Sequence, residues 1–201
     1  MISCWNYFPT QIFRDEVPQL VDRVLETFDE MFDNTEQGYS AIPLALNSRC
    51  MTGSSQLMSY QRPITDYIRD TSISILKSQG YDTDSHDIYI ESLWAQILPT
   101  GAYHSSHIHS NSVLSGVYML TGSEETSSHI LFDDARAGKA MSDMPLTSYD
   151  NILPATSQVV FKDLLPGSIL FFNSFTPHSF TPNYSSKSVK FLHFCINFKK
   201  K

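Results

Sequence analysis

From Asp87 onward the chain is one strand-like run after another, and this succession restricts it to a predominantly antiparallel β architecture. "DIYIESLWAQIL" alternates long enough for a half-buried strand, and "SVLSGVYML", "HILFD", "SQVVFKDL", "GSILFFNS" and "SVKFLHFCINF" follow, rich in β-branched and aromatic residues. Pro and Gly in "LPTG", "LTGS", "LLPGS" and "FTPNYSS" separate several of these runs, as turn chemistry requires. The runs do not alternate with helical patterns as βαβ units would, so a sandwich or jelly-roll barrel is expected. Residues 122 to 156 hold one short strand, and the rest of that interval reads as loop.

The N-terminal part differs in character. "YFPTQIFRDEV" (7 to 17) is extended and reads as an outer strand. Val17, Leu20, Val21, Val24, Leu25, Phe28, Met31 and Phe32 then form the i, i+3, i+4 stripe of an amphipathic helix, suited to packing against the protein's own sheet. Residues 34 to 61 are rich in Ser, Asn, Gly and Gln without a period, which predicts a long irregular segment of the kind that serves as a lid. A second helix is expected over about 62 to 79, with Pro63 near its start and Gly80 after its end. The expected organisation is one domain over 1–201: a helical N-terminal part over about 14–80, and a β core over about 87–198.

A net charge of −7 with only 14 Lys and Arg argues against a phosphate-backbone binder, which needs basic patches. Lys199 to Lys201 read as a solvated tail. Cys4, Cys50 and Cys195 are scattered and odd in number, so neither a disulfide framework nor a thiolate zinc site is expected. No apolar run approaches a membrane span, and "MISCWNYFPTQIF" lacks the basic and apolar stretches of a secretory leader. These features predict a cytoplasmic protein acting on a small molecule or peptide.

"GAYHSSHIHS" (101 to 110) places three histidines within six residues. On an extended segment residues i and i+2 share a side, so His107 and His109 face one way, about 6 to 7 Å apart at the backbone. His178, just after the hydrophobic run "GSILFF", can bring a third imidazole from another strand to a barrel mouth. Spacing alone leaves a metal site and ordinary surface or core histidines both open. His104 is expected to face the other way, His86 and His129 to be ordinary polar residues, and His193 to be a hydrogen-bonded core residue. Imidazoles without thiolates suit Fe(II), Zn, Ni, Cu or Mn alike.

The stretch "GAYHSSHIHSNSVLSGVYML", then "ILFDDAR", then "PGSILFFNSFTPHSFTPN", resembles the small 2-oxoglutarate- and Fe(II)-dependent oxygenases of marine bacteria and phages. The opening "YFPTQIF" is similar to their N-terminal strand, and the likeness covers about 6 to 13 and 90 to 198. The resemblance implies a double-stranded β-helix, a jelly roll with the N-terminal helices packed outside. It implies an Fe(II) site with His107 as first ligand, His109 in the place of the usual carboxylate and His178 as distal ligand. Asp133 or Asp134 is the alternative oxygen ligand. It further implies that 2-oxoglutarate is decarboxylated to succinate and CO2 as a second substrate is hydroxylated.

Relatives hold the outer carboxylate of 2-oxoglutarate with an Arg about a dozen residues beyond the distal histidine. Lys190 stands at that distance, with Tyr118 and Gln96 as further candidate contacts and Trp94 as core. Aligned instead on the closing "INF", the position falls on Phe191 and Lys190 faces outward, since a one-residue slip reverses a strand's face. Two other readings stay open at this point: a three-His cupin-like metalloenzyme that does not use 2-oxoglutarate, and a non-catalytic jelly-roll binding module.

Overall fold

Strand β1 (Ile12–Glu16) opens the fold, followed by a 3-10 turn (Pro18–Leu20) and helix α1 (Val21–Asp33). Two short strands, β2 (Ala45–Leu46) and β3 (Arg49–Thr52), precede helix α2 (Arg62–Ser78). Then come β4 (His86–Leu98), β5 (Tyr103–His107), β6 (Leu114–Met119) and β7 (Ile130–Asp133). Strands β8 (Gln158–Phe161), β9 (Ser168–Asn173), β10 (His178–Phe180) and β11 (Val189–Lys200) complete the chain. This is a computed structural model, in which residues 3–4, 8–33, 45–46, 49–52, 62–122, 127–136, 139, 144–147 and 155–201 are described.

The strands form two antiparallel sheets, one in the order β1-β9-β6-β11-β4-β3 and one in the order β2-β5-β10-β7-β8. The two sheets face each other as a jelly roll, with the helices on the outer face of the larger one, so the expected mainly β double-stranded β-helix is the fold found. Alternation sorts each long strand between two cores. Val117, Met119, Leu170, Phe172, Val189 and Phe191 point into the barrel, where they meet Phe132 and Phe180 of the smaller sheet. Leu93, Ala95, Tyr118, Phe171, Leu192 and Phe194 point outward, where Val21, Val24, Ile64 and Ile68 of the helices cover them. Full burial of one such aliphatic side chain contributes about 1.5–3 kcal/mol, so the helical stripes are held by this sheet rather than left for a partner.

Local chemistry sets the boundaries. The stripe expected to form one helix from Val17 begins as a 3-10 turn with Pro18 in its first positions, and α1 follows. Helix α2 ends at Gly80, whose φ of +90° lets the Gly80 and Tyr81 amides bond back to the Lys77 and Leu76 carbonyls. Gly116 has a packing cause: a Cβ there would lie 2.2 Å from the Phe194 ring that crosses its outer face. The expectation of a wholly irregular 34–61 segment is corrected in part, because β2 pairs with β5 and β3 with β4. The rest of the proposed lid lies outside the described residues. Among the described residues no helix is long and apolar enough to cross a membrane.

Candidate metal centre

His107 closes β5 and His178 opens β10, and the two residues pair directly across the antiparallel ladder with ring centroids 4.3 Å apart. Each position is fixed locally. Asn173 to Thr176 form a tight turn in which the Thr176 amide bonds to the Asn173 carbonyl, and the His178 Nδ1 then lies 3.1 Å from the Thr176 carbonyl. The His107 Nδ1 lies 2.9 Å from the Ser105 carbonyl. A carbonyl only accepts, so both rings donate from Nδ1 and keep the Nε2 lone pair free.

His109 lies just beyond β5. Its amide donates to the Ser174 carbonyl at 3.0 Å, docking this segment on the turn that leads to His178. The chain then reverses through Asn111, a residue type that tolerates its φ of +61°, and Asn197 clamps that turn by donating to the Asn111 carbonyl at 2.7 Å. The His109 Nε2 faces the His178 Nε2 at 3.3 Å.

The ligand atoms of His107, His109 and His178 lie within 4.8 Å of one another. This donor set fits a divalent first-row metal: neutral imidazoles, two of them oriented by carbonyls at the far nitrogen, as metal-binding histidines are. Burial lowers the His107 pKa, and burial with repulsion from His107 lowers His109 to about 4 and His178 to about 2, so all three rings are neutral at pH 7. His178 is wholly buried, whereas His107 and His109 are half-buried and Ile108 between them is exposed, which leaves one side of the cluster open.

The aspartates stand apart from the cluster. Asp133 is bonded by Ser106 at 3.1 Å and Gln158 at 2.8 Å, and Asp134 is paired with Arg136. His86 bonds the Asp82 carbonyl and packs on Phe198, away from the site.

Several expectations around the site are corrected. His104 does not face away from His107: β5 spends one residue more than β10 between their paired positions, and this bulge brings the His104 and His107 rings into a stack 4.3 Å apart. His193 is not a hydrogen-bonded core histidine, because it is fully buried with neither ring nitrogen partnered. Its ring lies 4.7 Å from His109 and 4.4 Å from Trp94, so Trp94, expected as core, is instead a half-buried part of the site wall outside both hydrophobic clusters.

Tyr118 is no cosubstrate contact. It lies on the outer face of β6 and donates its hydroxyl to the Val17 carbonyl at 2.7 Å, and burial pushes its phenol up to about 12. Lys190 alternates with Val189 and Phe191, which point into the barrel, and so shares the outer face with Leu192. Phe191 takes the inward position and stacks on Phe180 at 4.4 Å. Gln96 pairs with Phe191 and is fully buried, as an inward-pointing residue should be. Alternation along "LWAQIL" was the signal for Trp94 and Gln96, whereas the bulge that turns His104 inward leaves no mark in the sequence.

The barrel is similar to several solved structures. A Pseudomonas putida prolyl-4-hydroxylase matches at 13% identity over 96% of this chain and 94% of that one, with a TM-score of 0.64. The epimerase SnoN from nogalamycin biosynthesis, solved with Fe3+, alpha ketoglutarate and nogalamycin RO, matches at 12% identity over 94% and 79%, with a TM-score of 0.65. HygX from Streptomyces hygroscopicus, solved with nickel and 2-oxoglutarate, matches at 10% identity over 94% and 83%, with a TM-score of 0.59. At such identities the likeness establishes the shared fold. No curated relative matches the chain by sequence. The model of the family described as "Putative 2OG-Fe(II) oxygenase" matches residues 92–192, half of the chain and the part that carries all three clustered imidazoles. The chain therefore belongs to this family of 2-oxoglutarate- and Fe(II)-dependent oxygenases and is an oxidoreductase.

Proposed function

We propose that the protein is a dioxygenase that hydroxylates a small-molecule or peptide substrate, releasing succinate and CO2 from 2-oxoglutarate, with Fe(II) held by His107, His109 and His178. The observation that carries this reading is the convergence of the three imidazoles at an open-sided point, two of them with Nδ1 committed to carbonyls. When bound, the iron would let O2 be reduced with electrons from the oxoacid and the substrate, one oxygen atom going into succinate and the other into the hydroxylated product.

The chain's own residues orient and enclose. Thr176 and Ser105 fix the tautomers of His178 and His107, and the Trp94 ring beside His193 and His109 walls the site against water. Exposed Ile108 and Phe175 flank the hydrogen bond between His109 and Ser174 at the mouth, a surface suited to an apolar part of the substrate. The net charge of −7 disfavours nucleic acid as that substrate.

The test is an anaerobic titration of metal-free protein with Fe(II) and then 2-oxoglutarate, following the visible charge-transfer band of the chelated oxoacid. The band is expected in the wild type and not in His107→Ala or His178→Ala. Iron binding without a band would make 2-oxoglutarate the wrong cosubstrate, and no iron binding would remove the assignment altogether.

A further inference from the structure

Among the described residues, the buried side chains with unpartnered polar atoms include Gln96, His104 and His193, which lie beside the metal centre, as well as Thr176 and Ser112. Gln96 and His193 are fully buried and His104 is 3% exposed, yet Gln96 Nε2 and Oε1, His104 Nδ1 and both His193 ring nitrogens lack a hydrogen-bond partner. Orphaned buried atoms of this kind are destabilising unless a bound group satisfies them.

The three side chains all face the barrel interior. In the larger sheet Gln96 pairs with Phe191 and His193 with Trp94, so Gln96 and His193 are diagonal neighbours on the inward face. His104 faces them from the smaller sheet, paired with Phe180, whose ring stacks on Phe191. His193 and His104 also flank the three clustered imidazoles, at 4.7 Å from the His109 ring and 4.3 Å from the His107 ring. The order from the mouth inward is metal cluster, orphaned polar groups, and then the Phe180–Phe191 floor.

A 2-oxoglutarate chelated through its inner carboxylate and keto oxygen carries a second carboxylate two methylenes farther on. That charge requires donors. Among the residues whose side chains are described no Lys or Arg is buried, and Lys190 lies on the outer face. We infer that the outer carboxylate of 2-oxoglutarate is received by hydrogen-bond donors of Gln96, His193 and His104, in place of a lysine or arginine. This inference rests on the 2-oxoglutarate reading given above. It makes these three residues determinants of which oxoacid the enzyme accepts, with the Phe180–Phe191 stack limiting its length.

The test compares 2-oxoglutarate with 2-oxopentanoate, which chelates iron identically but ends in a methyl group where 2-oxoglutarate has its outer carboxylate. Both are titrated anaerobically into Fe(II)-loaded protein, and the charge-transfer band gives each Kd without turnover. The wild type is expected to prefer 2-oxoglutarate roughly tenfold or more, as hydrogen bonds to a charged group imply. Gln96→Leu and His193→Phe are expected to remove most of that preference and leave the 2-oxopentanoate band in place, which also shows that the variant is folded and loaded. Gln96→Glu should weaken 2-oxoglutarate further by repulsion. A preference unchanged in the Gln96 and His193 variants, or no preference in the wild type, overturns the inference. No band with either oxoacid in iron-loaded wild type removes the 2-oxoglutarate reading itself.

Discussion

The Nε2 atoms of His109 and His178, 69 positions apart in the chain, face each other at 3.3 Å. Because His178 gives its Nδ1 hydrogen to the Thr176 carbonyl, its Nε2 has only a lone pair to offer, either to a proton on His109 or to a metal ion. The pair can hold one proton between its two Nε2 atoms, and under the proposed assignment a metal ion would take that proton's place.

Removing one member of this pair should therefore abolish tight metal binding without unfolding the barrel. Loss of a group that only orients a ligand costs about 10–100-fold in metal affinity, and loss of the ligand itself should exceed that. For His178→Ala the expected result is an Fe(II) Kd raised by more than about 100-fold with an unchanged circular dichroism spectrum. Wild-type affinity in this variant would exclude His178 as a ligand.

The buried histidines also give the metal-free protein a pH-dependent stability of definite sign. Burial holds His104 at about 3, His109 at about 4 and His178 at about 2 in the folded state, against roughly 6.5 when unfolded. Between those values the unfolded chain binds protons that the folded chain refuses, so this contribution is flat above about pH 7 and stability falls as pH drops through 6.5. Each such group contributes at most about 1.4 kcal/mol per pH unit in that window. Urea midpoints of iron-free protein at pH 7.5, 6 and 5 should decline in that order, and His104→Leu should flatten the decline.

Tyr118 and Lys190 provide a test of face rather than of charge. Tyr118→Phe removes the shorter of two hydrogen bonds to the Val17 carbonyl, leaving the one from the Leu20 amide at 3.3 Å, and should cost about 1 kcal/mol in urea unfolding, with the 2-oxoglutarate Kd unchanged. Lys190→Met should likewise leave that Kd unchanged. A large loss of 2-oxoglutarate affinity in either variant would place the side chain inside the barrel.

What was legible in the sequence follows from which physical signal was local. Strand alternation, the helical stripe from Val17 and the stop at Gly80 are written in neighbouring residues, and β4, β6, β9, β11 and α2 lie where these signals put them. His107 and His109 were legible because i and i+2 share a side, and their rings lie 5.0 Å apart. His104 was not, because its direction depends on a bulge defined by the partner strand β10. Short strands β2 and β3 were invisible for a similar reason, since each is an edge strand that exists by pairing with β5 or β4 and carries too few residues to show a period. The distance count to Lys190 misled because an irregular stretch, 181–188, separates β10 from β11 and breaks the parity carried from His178, whereas parity along β11 identified Phe191 as the inward residue.

Gly116 shows how strictly the outer face is packed. A methyl group there would meet the Phe194 ring at 2.2 Å and the Leu170 carbonyl oxygen at 2.3 Å, and the second of these is backbone that cannot rotate away. Gly116→Ala should destabilise the protein by about 1–3 kcal/mol or more, read as a lowered Tm. Adding Phe194→Leu should recover part of that loss at most, since the Leu170 contact remains. Full recovery would show that the ring alone sets the requirement.

His109→Asp tests what the third imidazole does for charge. Three neutral imidazoles leave a bound divalent ion at +2, and replacing one by a carboxylate reduces the centre to +1. With no buried lysine or arginine described in the barrel, the metal is the main positive charge that 2-oxoglutarate meets there. Halving that charge should weaken 2-oxoglutarate binding by roughly tenfold or more, because even at an effective dielectric of about 20 one unit charge at close range is worth more than 1.4 kcal/mol. Iron should still bind, since aspartate is a competent ligand in a two-histidine, one-carboxylate site. The measurement is the anaerobic Kd of 2-oxoglutarate in the Fe(II)-loaded variant beside wild type. An unchanged Kd with iron bound would mean that His109 contributes position rather than charge to cosubstrate affinity.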